Sequence, residues 1–176
     1  MTEALEALLL AATEGNVARA EALLDNSAAV DGTVDGDTAL IRASSAGHSH
    51  VCRLLLNRGG SVEIASKHGK TSLMHACEEG HEEVVETLLE YTADANAANK
   101  YGDTALHFCA VGGHTSCAVL LIKRGARVNE ADGEGHTPLI RASTFGHAKT
   151  AKLLLQSRAE VWKTNATRTA LAADPP

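Results

Sequence analysis

The chain repeats itself every 33 residues, and that period limits what it can fold into more than any other feature. Threonine recurs at Thr38, Thr71, Thr104 and Thr137, and glycine at Gly36, Gly69, Gly102 and Gly135. A Gly-His pair recurs at Gly47-His48, Gly80-His81, Gly113-His114 and Gly146-His147. Apolar clusters keep the same beat: VCRLLL from Val51, VVETLL from Val84, CAVLLI from Cys117 and TAKLLL from Thr150. Such a unit is too small to bury its own apolar face and must stack on its neighbours.

One unit reads as two short helices and a loop. The Thr is placed to cap a first helix, and Pro138 follows Thr137 at the helix position where a missing N–H costs least. That helix runs about eight or nine residues to the glycine of the Gly-His pair, which can take the left-handed conformation that ends helices. A second helix carries apolar residues at helical spacing, as in Val84, Val85, Leu88 and Leu89. A closing position follows it, occupied by Gly59, Thr92 and Gly125. Stretches such as ADANAANKYGD are turn-rich and predict a protruding, hairpin-like loop. The only aromatics are Tyr91, Tyr101, Phe108, Phe145 and Trp162, so small and medium aliphatic side chains must build the core.

The segments TALIRA (38–43), TSLMHA (71–76) and TPLIRA (137–142), with TALHFCA carrying His107 and with Cys109 in place of Ala, identify a family. Across nearly its whole length the chain resembles the ankyrin-repeat proteins. The resemblance implies an all-α solenoid of stacked helix-turn-helix pairs with hairpin-like loops. It implies a single domain over 1–176, with a capping repeat at 1–32, full repeats at 33–65, 66–98, 99–131 and 132–164, and a partial repeat at 165–176. Gly15 stands as the interhelical glycine of the first unit, and ATRTALAA (166–173) reads as the start of a sixth. Near the C-terminus the pattern loosens. Arg158 stands at a glycine position, Trp162 replaces the loop Asn, Thr169 arrives one residue early, and the final DPP reads as a linker.

The stretch HGKTSLMHACEEGH (68–81) concentrates His68, His75, His81, Cys77, Glu78 and Glu79, and so raises the question of a metal or catalytic cluster. The repeat frame answers against it. His81 shares its position with His48, His114 and His147, which predicts a scaffold role with the ring bonded to loop backbone. His68 falls in a loop, His75 within the first helix and His81 beyond it. A helix of this length separates its ends by roughly 12 Å, too far for ligand bonds of about 2 Å to one ion. His75 is expected to pair with Glu78 or Glu79 at helical spacing. Cys52, Cys77, Cys109 and Cys117 form no CxxC pair and fit as small, reduced core residues. No phosphate-binding glycine loop, dinucleotide fingerprint or HExxH is present. We therefore expect no enzyme, no metal and no cofactor. A hidden cysteine enzyme is the alternative that thiol labelling would expose.

The formal net charge of -6 argues against nucleic acid as a partner. No apolar run approaches the roughly 18 residues of a membrane span, and MTEALEALLL has no basic n-region. The expected setting is intracellular, cytoplasmic or nuclear. The charge is uneven: residues 1–90 carry -9 and residues 91–176 carry +3, the latter including Lys123, Arg124, Lys149, Lys152 and Arg158. A solvated back face explains this most simply. A monomer is expected, with weak head-to-tail association of acidic and basic halves as the alternative.

Function must lie in what differs between units. The family resemblance implies that a protein partner docks on the loop tips and on the first-helix face lining a concave groove. The candidate residues there are Asp35, Asp37, Lys67, His68, Lys70, Glu78, Glu79, Lys100, Tyr101, Asp103, Glu134, His136 and Phe145. Tyr101 and Phe145 are the expected anchors, since few residues carry most of a binding energy and aromatics are prominent among them. The chain reads as a scaffold or adaptor. The alternative is an inhibitory or targeting subunit that regulates a partner enzyme. The resemblance also marks Asn96 and Asn129 as candidates for asparaginyl hydroxylation.

Overall fold

The computed structural model describes residues 2–161, and the expectations for Trp162 and for the sixth unit at 165–176 lie outside them. The described residues form helices α1 (Thr2–Glu14), α2 (Val17–Asp25), α3 (Ala39–Ala46), α4 (Ser49–Asn57) and α5 (Ser72–Glu79). They continue with α6 (Glu82–Glu90), α7 (Ala105–Gly112), α8 (Thr115–Lys123), α9 (Pro138–Thr144) and α10 (Ala148–Gln156). Each first helix packs on the next first helix, from α1 through α3, α5 and α7 to α9. The second helices α2, α4, α6, α8 and α10 form a parallel layer behind them. The architecture is an all-α solenoid.

The caps follow the chemistry read from the sequence. The hydroxyl oxygens of Thr38, Thr71 and Thr137 accept from the amides of Ile41, Met74 and Ile140 at 3.2, 3.4 and 3.4 Å. Gly47, Gly80 and Gly113 end their helices in the left-handed conformation, with φ of 82°, 78° and 71°. At the closing position of the second helices the structure repeats the left-handed turn even without glycine, with φ of 63° at Thr92 and 68° at Arg158. Single antiparallel bridges, Val34 with Asp37, Ala65 with Thr71 and Ala98 with Thr104, make the loops hairpin-like.

The core is a set of columns at repeat spacing. Leu55, Leu88, Leu121 and Leu154 are all fully buried between the helix layers. Ala43, Ala76, Cys109 and Ala142 are likewise fully buried, so small side chains occupy one equivalent place in four successive first helices. Burying one such leucine contributes about 1.5–3 kcal/mol, and neighbouring units share each column. That sharing explains how helices of seven to nine residues persist when isolated ones of this length would not.

Polar ladders tie unit to unit. The Nε2–H groups of His48, His81, His114 and His147 donate to the carbonyls of Thr13, Ser45, Glu78 and Val111 at 3.0, 3.0, 2.9 and 2.7 Å. This corrects the expected loop-backbone partner: each acceptor lies at the C-terminal end of the preceding unit's first helix. Such carbonyls lack intrahelical donors and need a partner, and the next repeat supplies one. The residues after the second helices reach back similarly. Arg58 donates to Asp25 at 2.6 Å and Glu21 at 2.9 Å, the Tyr91 hydroxyl to Asn57, and Arg124 to the Leu89 carbonyl at 2.7 Å.

Candidate functional site: the concave face

Four side chains at repeat spacing, Arg42, His75, Phe108 and Arg141, face the space between the first helices and the loops, and each has a different fate. The Arg42 Nε lies 3.0 Å from Asp37. The Lys70 ammonium is paired with Glu78 and sits 4.7 Å from the centre of the Phe108 ring. Arg141 donates through Nε and Nη2 to one Asp132 oxygen at 2.9 and 2.6 Å, and to Glu134 at 3.3 Å. His75 does not pair with Glu78 or Glu79, correcting that expectation. Among the described residues its Nε2 is buried without a partner, Glu78 pairs with Lys70 instead, and burial, with Lys70 adding to it, holds the ring's pKa below its ordinary value.

The loop tips are braced from within and from the side. Asn99 Oδ1 accepts from the amides of Tyr101 and Asp103 at 2.8 and 2.9 Å. Asp132, in the equivalent place one unit on, accepts from Glu134 and His136 at 2.9 Å each. Burial pushes the Asp132 carboxyl up, but the amide of His136, the Arg141 guanidinium and the amide of Glu134 outweigh it and hold it low. Adjacent tips also bond to each other: the Lys100 amide donates to the His68 carbonyl at 3.3 Å, and the Gly133 amide to the Tyr101 carbonyl at 2.7 Å. A Cβ on residue 133 would fall 2.8 Å from that carbonyl oxygen, so glycine is needed there for the close approach.

His107 extends the bracing into the core. Its Nδ1 accepts from the Thr104 amide at 3.1 Å and faces the Thr104 hydroxyl at 2.9 Å, while Nε2–H donates to the His136 carbonyl at 3.0 Å. Burial depresses its pKa, opposed by the bond to His136. The equivalent positions hold Ile41, Met74 and Ile140, so this cross-loop tie occurs only at the junction between Tyr101's unit and the next.

Two aromatics stand out from this braced surface, Tyr101 with 63% and Phe145 with 52% of its surface exposed. Phe145, Phe108 and Val111 border a recess of about 290 Å³, and Tyr101 and Glu134 border a second of about 580 Å³. Asp103 and Arg141 belong to both walls, so the recesses adjoin. Of the residues proposed from sequence, the structure brings Lys70, Glu78, Asp103, Tyr101, Lys100, Glu134 and Phe145 to this region. His136 lies beside it, its Nδ1 3.3 Å from Glu134. Asp35, with φ of 55°, and Asp37 belong to the first loop, Lys67 and His68 are exposed on the second, and Glu79 is exposed at the end of α5. Sequence reasoning missed Phe108, Arg141 and Asp132. The signal was available for Arg141, which shares its repeat position with Arg42, His75 and Phe108.

Asn96 and Asn129 hold neighbouring units together. Asn96 accepts from the Arg127 amide at 2.8 Å and donates to the Gly125 carbonyl at 3.2 Å. Asn129 does the same with the Glu160 amide at 2.8 Å and the Arg158 carbonyl at 3.2 Å. On the back face Lys123, Lys149 and Lys152 are exposed.

The four cysteines are unpaired and buried. Burial pushes the Cys52 thiol up to about 11, with a bond to Ser44 partly offsetting it. Burial also raises Cys109, and the neighbouring Cys109 together with burial raises Cys117. A raised pKa makes Cys52, Cys109 and Cys117 poor thiolate nucleophiles. Among the described residues no group of three or more His, Cys, Asp or Glu is arranged to hold a metal ion, and no helix is long and apolar enough to cross a membrane.

The family model described as ankyrin repeats (3 copies) matches residues 8–99 and 92–165. No curated protein matches the chain. With the helix pairs, the Thr caps and the hairpin-like loops in place, the chain belongs to the ankyrin-repeat family, whose members are generally protein–protein interaction modules and typically not enzymes.

Proposed function

We propose that this chain is a non-enzymatic scaffold or adaptor that binds a protein partner through its loop tips and concave first-helix face. The observation that carries the reading is the pair Tyr101 and Phe145, both more than half exposed and both bordering adjoining recesses on the same side. Aromatic anchors beside a recess are a usual centre of an interface, because covering them removes a large area from water. The loop bearing Tyr101 is fixed by Asn99 on one side and by Gly133 on the other, so docking requires little further ordering of the backbone. Asp35, Asp37, Lys67 and Lys100 supply a charged rim suited to steering a partner.

The unpaired thiols suit a reducing compartment, and we place the protein inside the cell, in cytoplasm or nucleus. Affinity capture from the native source with wild type and with the Tyr101→Ala/Phe145→Ala variant tests the binding surface. A partner retained by wild type and lost by the folded variant supports the reading. A partner captured equally by both overturns the assignment of this face.

A further inference from the structure

We propose that the adjoining recesses recognise a basic side chain next to an apolar one, so that the partner's docking segment is a peptide with arginine flanked by a leucine-like or aromatic residue. This deepens the concave-face reading above and rests on it.

Several charges at the recesses are already paired. Arg141 is held by Asp132 and Glu134, and Lys70 by Glu78. Asp103 is different. Its Oδ2 accepts from Asn99 Nδ2 at 3.1 Å, and among the described residues no Lys, Arg or His nitrogen pairs with it within 4.0 Å. Arg141, the other residue common to both walls, spends its hydrogen bonds on Asp132 and Glu134 and reaches Asp103 only through space. The two recesses together are bordered by the carboxylates of Glu78, Asp103, Asp132 and Glu134 against the cations Lys100 and Arg141, with Lys70, paired to Glu78, as a third. Acid therefore exceeds base, and Lys100 sits out on an exposed loop tip.

The surroundings of Asp103 set what kind of cation fits. Its carboxylate stands between a wall containing Phe108, Val111 and Phe145 and a wall containing Tyr101. A guanidinium suits such a place better than an ammonium, because it stacks on aromatic faces while bonding a carboxylate edge-on and is the more weakly hydrated of the two. Phe108 already carries a cation over its ring in Lys70, which shows that this surface accommodates that contact. The apolar neighbour of the arginine would cover Val111 and Phe145, the exposed hydrophobic positions beside the carboxylate. An acidic segment would instead meet Asp103 and Glu134 with like charge.

A randomised peptide library displayed on phage, selected against the full chain, reads this directly. The expected outcome is enrichment of Arg adjacent to Leu, Ile, Phe or Trp. Affinity of the selected peptides should fall about tenfold or more in Asp103→Asn, the scale of a lost charge-assisted hydrogen bond. The same variant should show a weaker dependence on salt, and an unchanged circular dichroism spectrum and unfolding midpoint would establish that it is folded. Replacement of the peptide arginine by citrulline, which keeps the shape and removes the charge, should reproduce the loss on the unaltered protein. Enrichment of acidic or uncharged peptides that still lose affinity in Tyr101→Ala and Phe145→Ala would overturn the charge assignment and leave the concave face as the binding surface. Selected peptides indifferent to all three substitutions would overturn both readings, and a library yielding no specific binder would overturn the present one.

Discussion

His81 donates to the Ser45 carbonyl at 3.0 Å while the same ring lies over Gly47, where a Cβ would fall 2.8 Å from ring atoms. The two halves of the Gly-His signature thus meet across a repeat boundary rather than within one unit. The glycine of each unit makes room for the histidine of the next, and the histidine satisfies a carbonyl that the helix end leaves open. His114 and His147 repeat the hydrogen bond one and two units on.

Glycines at different places should therefore differ in what they tolerate. Gly47 has φ of 82° and the His81 ring against it, whereas Gly125 has φ of 87° with nothing within 4 Å of a built Cβ. Gly125→Ala should lose about 1–2 kcal/mol from left-handed strain alone. Gly47→Ala should lose about 3 kcal/mol, the displaced ring adding to that strain. Urea unfolding midpoints of the two variants check this, and equal losses would contradict the contact.

Thr92 is a β-branched residue at φ of 63°, in the position where Gly59 and Gly125 stand in other units. Thr92→Gly should stabilise by up to about 1 kcal/mol, the relief of strain being partly offset by glycine's larger freedom in the unfolded chain. Thermal unfolding measures the change.

Leu88 is fully buried and Tyr101 is 63% exposed. Leu88→Ala should destabilise by about 2–5 kcal/mol, whereas Tyr101→Ala should remain within about 0.5 kcal/mol. Equal thermal shifts for both would contradict the division between framework and surface.

His107 and His75 both have pKa values held below the ordinary 6.5. The unfolded chain then binds protons more readily than the folded one at these sites, so stability is full above about 6.5 and falls as pH drops below it. His107→Met, borrowing the residue at the equivalent position 74, should flatten part of that loss. Denaturant midpoints at pH 7.5 and 5.5, on the order of one unit either side of the histidine range, compare the two proteins.

Asp132 adds a second job to the one that its counterpart Asn99 performs. Both oxygens at these positions accept two loop amides, but only Asp132 also anchors an arginine. Asp132→Asn should keep the loop and cost about 1–2 kcal/mol, while Asp132→Ala should cost about 3 kcal/mol by leaving buried donors unpaired. The difference between the two midpoints is the quantity to measure.

The sequence by itself determined the unit, its length, its caps and its stacking, because those are local or periodic properties. Thr38, Gly47 and the Leu55 column could be read from spacing, and the helices they predict are present. The sequence also marked Tyr101 and Phe145, which differ from their counterparts in the other units. Only the tertiary structure decided what each side chain touches across a boundary. His81 finds a helix carbonyl of the preceding repeat, and Glu78 pairs with Lys70 rather than with His75. Arg141 turns to Asp132, and Asp103 is left beside Tyr101, Phe108, Val111 and Phe145 with no cation within 4.0 Å among the described residues. A one-dimensional pattern fixes which residues are equivalent. It does not fix which of several nearby charges a flexible side chain reaches first, and that competition is settled by distances set when the units stack.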